Sequence, residues 1–274
     1  MLTVVAATDL TDRSAQVAGR AQALVAANGT GRIVLAHVAA AGTTPVRLAA
    51  LQKQLQAAAV AAPGPVLPEV VVLTGRPEQV LPDLVAREGA DLLILGLHRV
   101  RRVLDLLRLT TMERIVLATD VPVLVAHLPA ARPYARVLAS VDFAPACAAS
   151  LAAAGRLAPD AEFHAIHALH MPLRDRLSPL QTQDTAAVTQ AGLLRRAFMD
   201  SPGLPPSLHL PEIVPGGVHE VLAFRIEELE PDLVVIGTHS GRDPTMLGNY
   251  ARDLMRDPPV DVLVTKPPVA RAAA

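Results

Sequence analysis

Residues 231–267 read PDLVVIGTHSGRDPTMLGNYARDLMRDPPVDVLVTKP. Leu233 to Ile236 is an apolar, β-branched run stopped by Gly237. A polar, turn-rich loop follows, Gly248-Asn249 opens a segment of helical composition, and Val262 to Val264 is a second apolar run. Short apolar runs without polar alternation suit strands buried on both faces, so the stretch predicts strand, loop, helix and strand in a parallel sheet. A glycine loop leading into a helix is also the shape of an anion cradle. Glycines let backbone N–H groups come close, and the helix N-terminus adds unsatisfied donors and a partial positive charge.

Working outward, the same order occurs earlier in the chain, at Asp91 to Leu95, Gly96, a helix beginning near Thr110, and Val121 to Ala126. What precedes it reads as further alternation. Leu2 to Ala7 is a strand ending at Thr8-Asp9, and Arg13 to Ala27 is a helix closed by Asn28-Gly29. Arg32 to Val38 is a strand, Leu48 to Ala62 a helix broken by Pro63-Gly64-Pro65, Glu69 to Leu73 a strand, and Pro77 to about Glu88 a helix. The pattern then restarts, because Val137 to Asp142 repeats Val4 to Asp9 with the aspartates 133 positions apart. His167 answers His37, Gly216 answers Gly75, Asp232 answers Asp91, Gly237 answers Gly96 and Val262 answers Val123. The chain therefore holds two copies of one alternating unit. Residues 1–131 and 132–274 are the expected domains, joined through the Pro129 to Pro133 segment. Ligands of such sheets sit at the carboxyl ends of the strands, where strand order reverses.

Composition narrows the function classes. Of 274 residues, 51% are hydrophobic and 19% charged, which allows a large core. A net charge of −1 supplies no basic field, and aromatics at 2% with no Trp supply no stacking platform, so no nucleic-acid partner is expected. Every apolar run is shorter than the ~20 residues a spanning helix needs, so no membrane partner is expected. The single cysteine, Cys147, fits a reducing compartment, and cytoplasmic residence is the expectation.

Four motifs, occurring in the same order in both copies, resemble the universal stress protein family over nearly the whole chain. They are VVAATD and VLASVD, LAHV and AIHA, GADLLILGLH and EPDLVVIGTHS, and ERIVLATDVPVLVAH and GNYARDLMRDPPVDVLVTKP. The resemblance implies an α/β fold of two tandem Rossmann-like (adenine nucleotide alpha hydrolase-like) domains, each a five-stranded parallel sheet with helices on both faces. It implies non-enzymatic stress regulation or an interaction module, with ATP or AMP bound by some members. It further implies that the fifth strands pair edge to edge as an internal pseudo-dimer, which would hide two edges. A homodimer of the whole chain is a further expectation.

Nucleotide-binding members carry G-x2-G-x9-G-[ST] after the fourth strand and an Asp after the first. In the first copy Gly96 matches, Arg99 and Leu109 replace the next two glycines, and Thr110 stands at the Ser/Thr place, where Thr110 and Glu113 form the capping-box pattern T-x-x-E. In the second copy Gly237 matches, Gly241 or Ser240 stands second, and Gly248-Asn249 closes the pattern, with only six residues between Gly241 and Gly248. The resemblance thus places cofactor contacts at Asp142, Ala168, Gly216, Gly237, His239, Gly241, Gly248 and Asn249. The shortened loop favours AMP, ADP or another anion over ATP, and Asn249 is expected to cap the helix.

Other residues read more plainly. Asp9 and Asp142 suit capping of the following helix as well as a ribose or adenine contact. His164, His167 and His170 do not assemble a metal site, because on a strand His167 faces away from the other two. Cys147 reads as a small packing residue at a helix start. No metal is expected, and no arrangement of catalytic residues is legible. A slow ATPase or self-phosphorylating activity on the same fold and a nucleotide-free scaffold are the alternatives.

Overall fold

The structure is a computed structural model, and it describes residues 1–11, 14–97, 109–129, 132–169, 186–238 and 247–266. The first repeat runs β1 (Leu2–Ala7), α1 (Ser14–Ala27), β2 (Gly31–Ala39), α2 (Pro45–Ala61), β3 (Glu69–Thr74), α3 (Pro77–Glu88), β4 (Leu92–Gly96), α4 (Thr111–Ala118) and β5 (Val123–Ala126). The second runs β6 (Arg136–Ser140), α5 (Pro145–Leu157), β7 (Glu162–Leu169), α6 (Ala186–Met199), β8 (Glu212–Pro215), α7 (Val218–Leu229), β9 (Leu233–Gly237), α8 (Asn249–Arg256) and β10 (Asp261–Thr265). Proline opens α2, α3 and α5, where its fixed φ suits the first helical turn and its missing N–H leaves no bond unmade. No helix of the described residues is long and apolar enough to cross a membrane.

All ten strands form one sheet in the order β3-β2-β1-β4-β5-β10-β9-β6-β7-β8. Neighbours within each repeat are parallel. The seam between repeats is antiparallel, with Val125 opposite Val262, Leu124 opposite Leu263 and Val123 opposite Val264. The fifth strands therefore do pair edge to edge, and the two five-stranded sheets become one. Along β4, Leu92 and Ile94 face one core layer and Leu93 and Leu95 the other, as the period of two requires. Helices α1, α2, α5 and α6 cover the first face, and α3, α4, α7 and α8 the second. This double cover is why the strands read as unbroken apolar runs.

The aspartate shared by the two fourth-strand motifs has a structural task. Asp91 accepts from the Thr3 N–H at 2.8 Å, and Asp232 accepts from the N–H groups of Ala135 and Arg136 at 2.8 and 3.0 Å. Each carboxylate pins the start of the first strand of its own repeat.

The seam also carries buried charge. Asp261, fully buried on β10, accepts from the N–H groups of His127 and Leu128 and from the Tyr134 hydroxyl, all at 2.7 Å. Arg20 of α1 places Nε 2.8 Å from the same carboxylate. This is an ion pair whose Nε–H is not aimed at the oxygen. The guanidinium lies over the Tyr134 ring, 4.3 Å from its centroid. Burial, with the Asp261 charge second, pushes the Tyr134 phenol well above its ordinary pKa, so it stays a donor to Asp261. Such a cluster adds little net stability over apolar packing, but removing one partner costs about 3–5 kcal/mol.

Candidate functional site

The strand order reverses between β1 and β4 in the first repeat and between β6 and β9 in the second, which puts a crevice at the carboxyl ends of those strands. The turns leaving β1 and β6 are built alike. Leu10 and Phe143, each directly after the first-strand aspartate, adopt φ of +59° and +64°, a left-handed conformation that costs a non-glycine residue about 1–2 kcal/mol. A histidine from the neighbouring strand braces each turn. His37 Nδ1–H donates to Thr8 O and His167 Nδ1–H to Val141 O, both at 2.9 Å, so these rings position the turns.

Asp142 does not serve as the N-cap that the sequence suggested. Asp9 Oδ1 accepts from the Thr11 N–H and hydroxyl, at 3.0 and 2.7 Å. Asp142 Oδ1 accepts from the Ala144 N–H and from the Cys147 thiol, each at 3.0 Å. The cap of α5 is Ala144, which has no side-chain oxygen to offer, and Asp142 instead closes the turn before it. Its Oδ2 takes no hydrogen bond among the described residues. Burial, helped by the Asp142 carboxylate, pushes the Cys147 thiol up to about 12. A thiol at a helix start is thereby kept protonated, against the lowering such a position alone would give.

The two fourth-strand helices differ at their first turns. At α4, Thr110 is the cap: its hydroxyl accepts from the Glu113 N–H at 3.2 Å, and the Glu113 carboxylate accepts from the Thr110 N–H at 2.6 Å. At α8 the cap is Gly248, not Asn249, and among the described residues no side chain bonds the first-turn N–H groups. Gly248 has extended backbone at φ −61° and ψ 149°, so the helix begins one residue later and Asn249 is its first member. The Gly248 N–H donates to Thr238 O at 2.7 Å. The Thr238 hydroxyl, fully buried, has no hydrogen-bond partner among the described residues. A Cβ at position 248 would make only an ordinary 3.6 Å contact with Thr238 O, so the fold itself does not demand glycine there.

The second-repeat residues named from sequence share one end of the sheet. Asp142 follows β6, Ala168 lies near the end of β7 opposite Val214, Gly237 ends β9 opposite Thr265, and Gly248-Asn249 opens α8. Gly216 follows β8, and its reason is conformational: φ is +156°, and a Cβ would meet Val221 Cγ2 at 2.7 Å. His239, Ser240 and Gly241 lie outside the described residues, as do Arg99 and His170. Sequence spacing missed Thr238, which follows Gly237 and carries no motif, and it missed the tie between the two helices. Glu113, fully buried, pairs with Arg256 Nε at 2.9 Å and Arg252 Nε at 3.4 Å, both on α8.

With this geometry in place, comparison with known proteins is direct. The family model described as "Universal stress protein family" matches residues 1–127 and again 133–266. No curated protein matches the chain. Among solved structures, a universal stress protein from Archaeoglobus fulgidus DSM 4304 is similar over 97% of this chain and 96% of its own, at 17% identity and a TM-score of 0.65. A functionally unknown protein from Pseudomonas aeruginosa PAO1 is similar over 97% and 92%, at 20% identity and 0.63. A universal stress protein in complex with cAMP covers 46% of this chain and 96% of its own length, at 25% identity and 0.39.

Proposed function

The chain belongs to the universal stress protein family, and from that premise we propose that it is a non-enzymatic stress-response regulator whose second repeat binds an adenine nucleotide. The observation that carries this reading is the open first turn of α8. Behind Gly248 the helix presents N–H groups that no side chain of the described residues caps, next to a buried Thr238 hydroxyl that likewise has no partner among them. A helix start of this kind attracts phosphate through directed donors and the helix dipole. Asp142 Oδ2, which takes no hydrogen bond among the described residues, follows β6 at the same end of the sheet and would suit a sugar or base hydroxyl or amine. The first repeat supports a regulatory division of labour, since its Thr110–Glu113 box already fills the corresponding donors.

A nucleophile in the crevice would need activation, and the Cys147 thiol is held the other way. Binding rather than turnover is therefore the role proposed. The test is calorimetric titration of AMP, ADP and ATP into chain freed of co-purified ligand. We expect AMP or ADP to bind at one site per chain, ATP no more tightly, and no release of phosphate. Absence of heat with all three would overturn the nucleotide reading and leave a ligand-free scaffold; sustained phosphate release would overturn the non-enzymatic one.

A further inference from the structure

Away from the crevice, three side chains with nitrogen and oxygen donors meet at the opposite end of the second repeat. Glu162 and His164 begin β7. His209 lies in the segment leading into β8, where Phe163 and Leu208 form a parallel bridge and the His209 N–H donates to Phe163 O at 2.9 Å. That backbone pairing sets the two imidazoles side by side, 4.6 Å between centroids and 5° from parallel. Both then turn Nε2 toward one oxygen. His209 Nε2 lies 2.8 Å from Glu162 Oε1, and His164 Nε2 lies 3.5 Å from it. The three ligand atoms all fall within 4.8 Å of one another.

A tetrahedral ion held at ordinary Zn–N and Zn–O distances needs its ligand atoms about 3.3 Å apart. The three atoms lie within 4.8 Å of one another, so each pair is within about 1.5 Å of that spacing, a shift that rotation of the exposed Glu162 and His209 side chains would supply. Two imidazoles with one carboxylate suit a transition metal and not Mg2+ or Ca2+, which prefer oxygen throughout. Arg136 does not block the ion: its Nε is 3.8 Å from the other carboxylate oxygen, Oε2, so Oε1 remains for the metal side. Glu162 and His209 are about half exposed, at 46% and 55%, which leaves room for water to complete the coordination.

We propose that Glu162, His164 and His209 form a binding site for a divalent transition-metal ion. The ion would pin the segment before β8, the edge strand of the sheet, onto β7. The site is separate from the crevice, because Ala168 is four residues further along β7, about 13 Å away. It also stands or falls independently of nucleotide binding. Sequence spacing concealed it: His209 is 47 positions from Glu162, and only the pairing of Phe163 with Leu208 brings them together.

The test is titration of Zn2+ into the untagged full chain after dialysis against chelator, with melting followed in parallel. One Zn2+ per chain and a raised Tm are expected. His209→Ala, which removes an exposed ring, and Glu162→Gln should each weaken binding at least ~10-fold and abolish the rise in Tm, with circular dichroism reporting an intact fold. No Zn2+ uptake by the wild-type chain would overturn the proposal. So would unchanged affinity in both variants, or Mg2+ bound as tightly as Zn2+.

Discussion

Helices α4 and α8 occupy equivalent places in two copies of one unit, each following the fourth strand of its repeat, but their first turns are satisfied differently. At α4 the Thr110 hydroxyl and Glu113 carboxylate exchange hydrogen bonds with the opposite N–H groups. At α8 the cap is a glycine, and no side chain of the described residues takes the place of that box. The same helix can therefore be seated on the same sheet with its donors closed by its own sequence or left for something else. What the fold requires is the apolar face, Met112, Ile115 and Val116 on α4 and Ala251, Leu254 and Met255 on α8. What varies is the chemistry at the crevice end, so how the first turn is satisfied is separable from folding at this position.

The two helices are also tied together, because Glu113 both completes the α4 box and faces Arg252 and Arg256 of α8. Removing it is the harshest way to break the comparison. Glu113→Ala opens α4 and removes the buried carboxylate that Arg252 and Arg256 face, and it should lower stability by about 3–5 kcal/mol in urea denaturation. Glu113→Gln, which can still reach back to the Thr110 N–H, should lose less. Equal losses for the two would mean that the box bond adds nothing and that the charge carries the whole effect.

A second effect belongs to Asp142 and Cys147, at the turn leaving β6. The thiol is pushed up to about 12 from an ordinary 9.0, so the folded chain favours the neutral form. That contribution to stability is complete below pH 9 and is lost as pH rises from 9 toward 12. Iodoacetamide at pH 8 should alkylate native Cys147 at least ~10-fold more slowly than the unfolded chain. Similar rates would show that the thiol is neither buried nor held by Asp142. The smallest effect is expected from Thr110→Ala, which removes half of the box and should cost about 1 kcal/mol without creating a nucleotide site, since the Glu113 carboxylate still covers the Thr110 N–H.

Much of this was legible in the chain. Strands buried on both faces leave continuous apolar runs, and a duplicated unit shows every signal twice, so the alternation and the repeat could be read from Leu2 to Thr265, whereas the pairing of β5 with β10 was implied only by the family resemblance. The crevice end was legible where glycine and aspartate mark turns, as at Asp142, Gly216 and Gly237. Cap position was not, because the choice between Gly248 and Asn249 depends on one ψ angle and not on composition. Contacts between distant segments left no periodic trace either. Glu113 is 139 and 143 positions from Arg252 and Arg256, and Tyr134 is 127 from Asp261. Buried polar pairs of this kind are set by tertiary geometry, which local patterning does not encode.

The central claim is that the open first turn of α8 is the seat of an anion, and one measurement addresses it directly: calorimetric titration of AMP into the wild-type chain and into Gly248→Asp. The new carboxylate would occupy the α8 donors as the Thr110–Glu113 box occupies those of α4, and a Cβ fits at this position. The account predicts one AMP bound per wild-type chain and at least ~10-fold weaker binding, or about 1.4 kcal/mol, in the variant, whose Tm is unchanged or higher. Equal affinity in the two chains would contradict it.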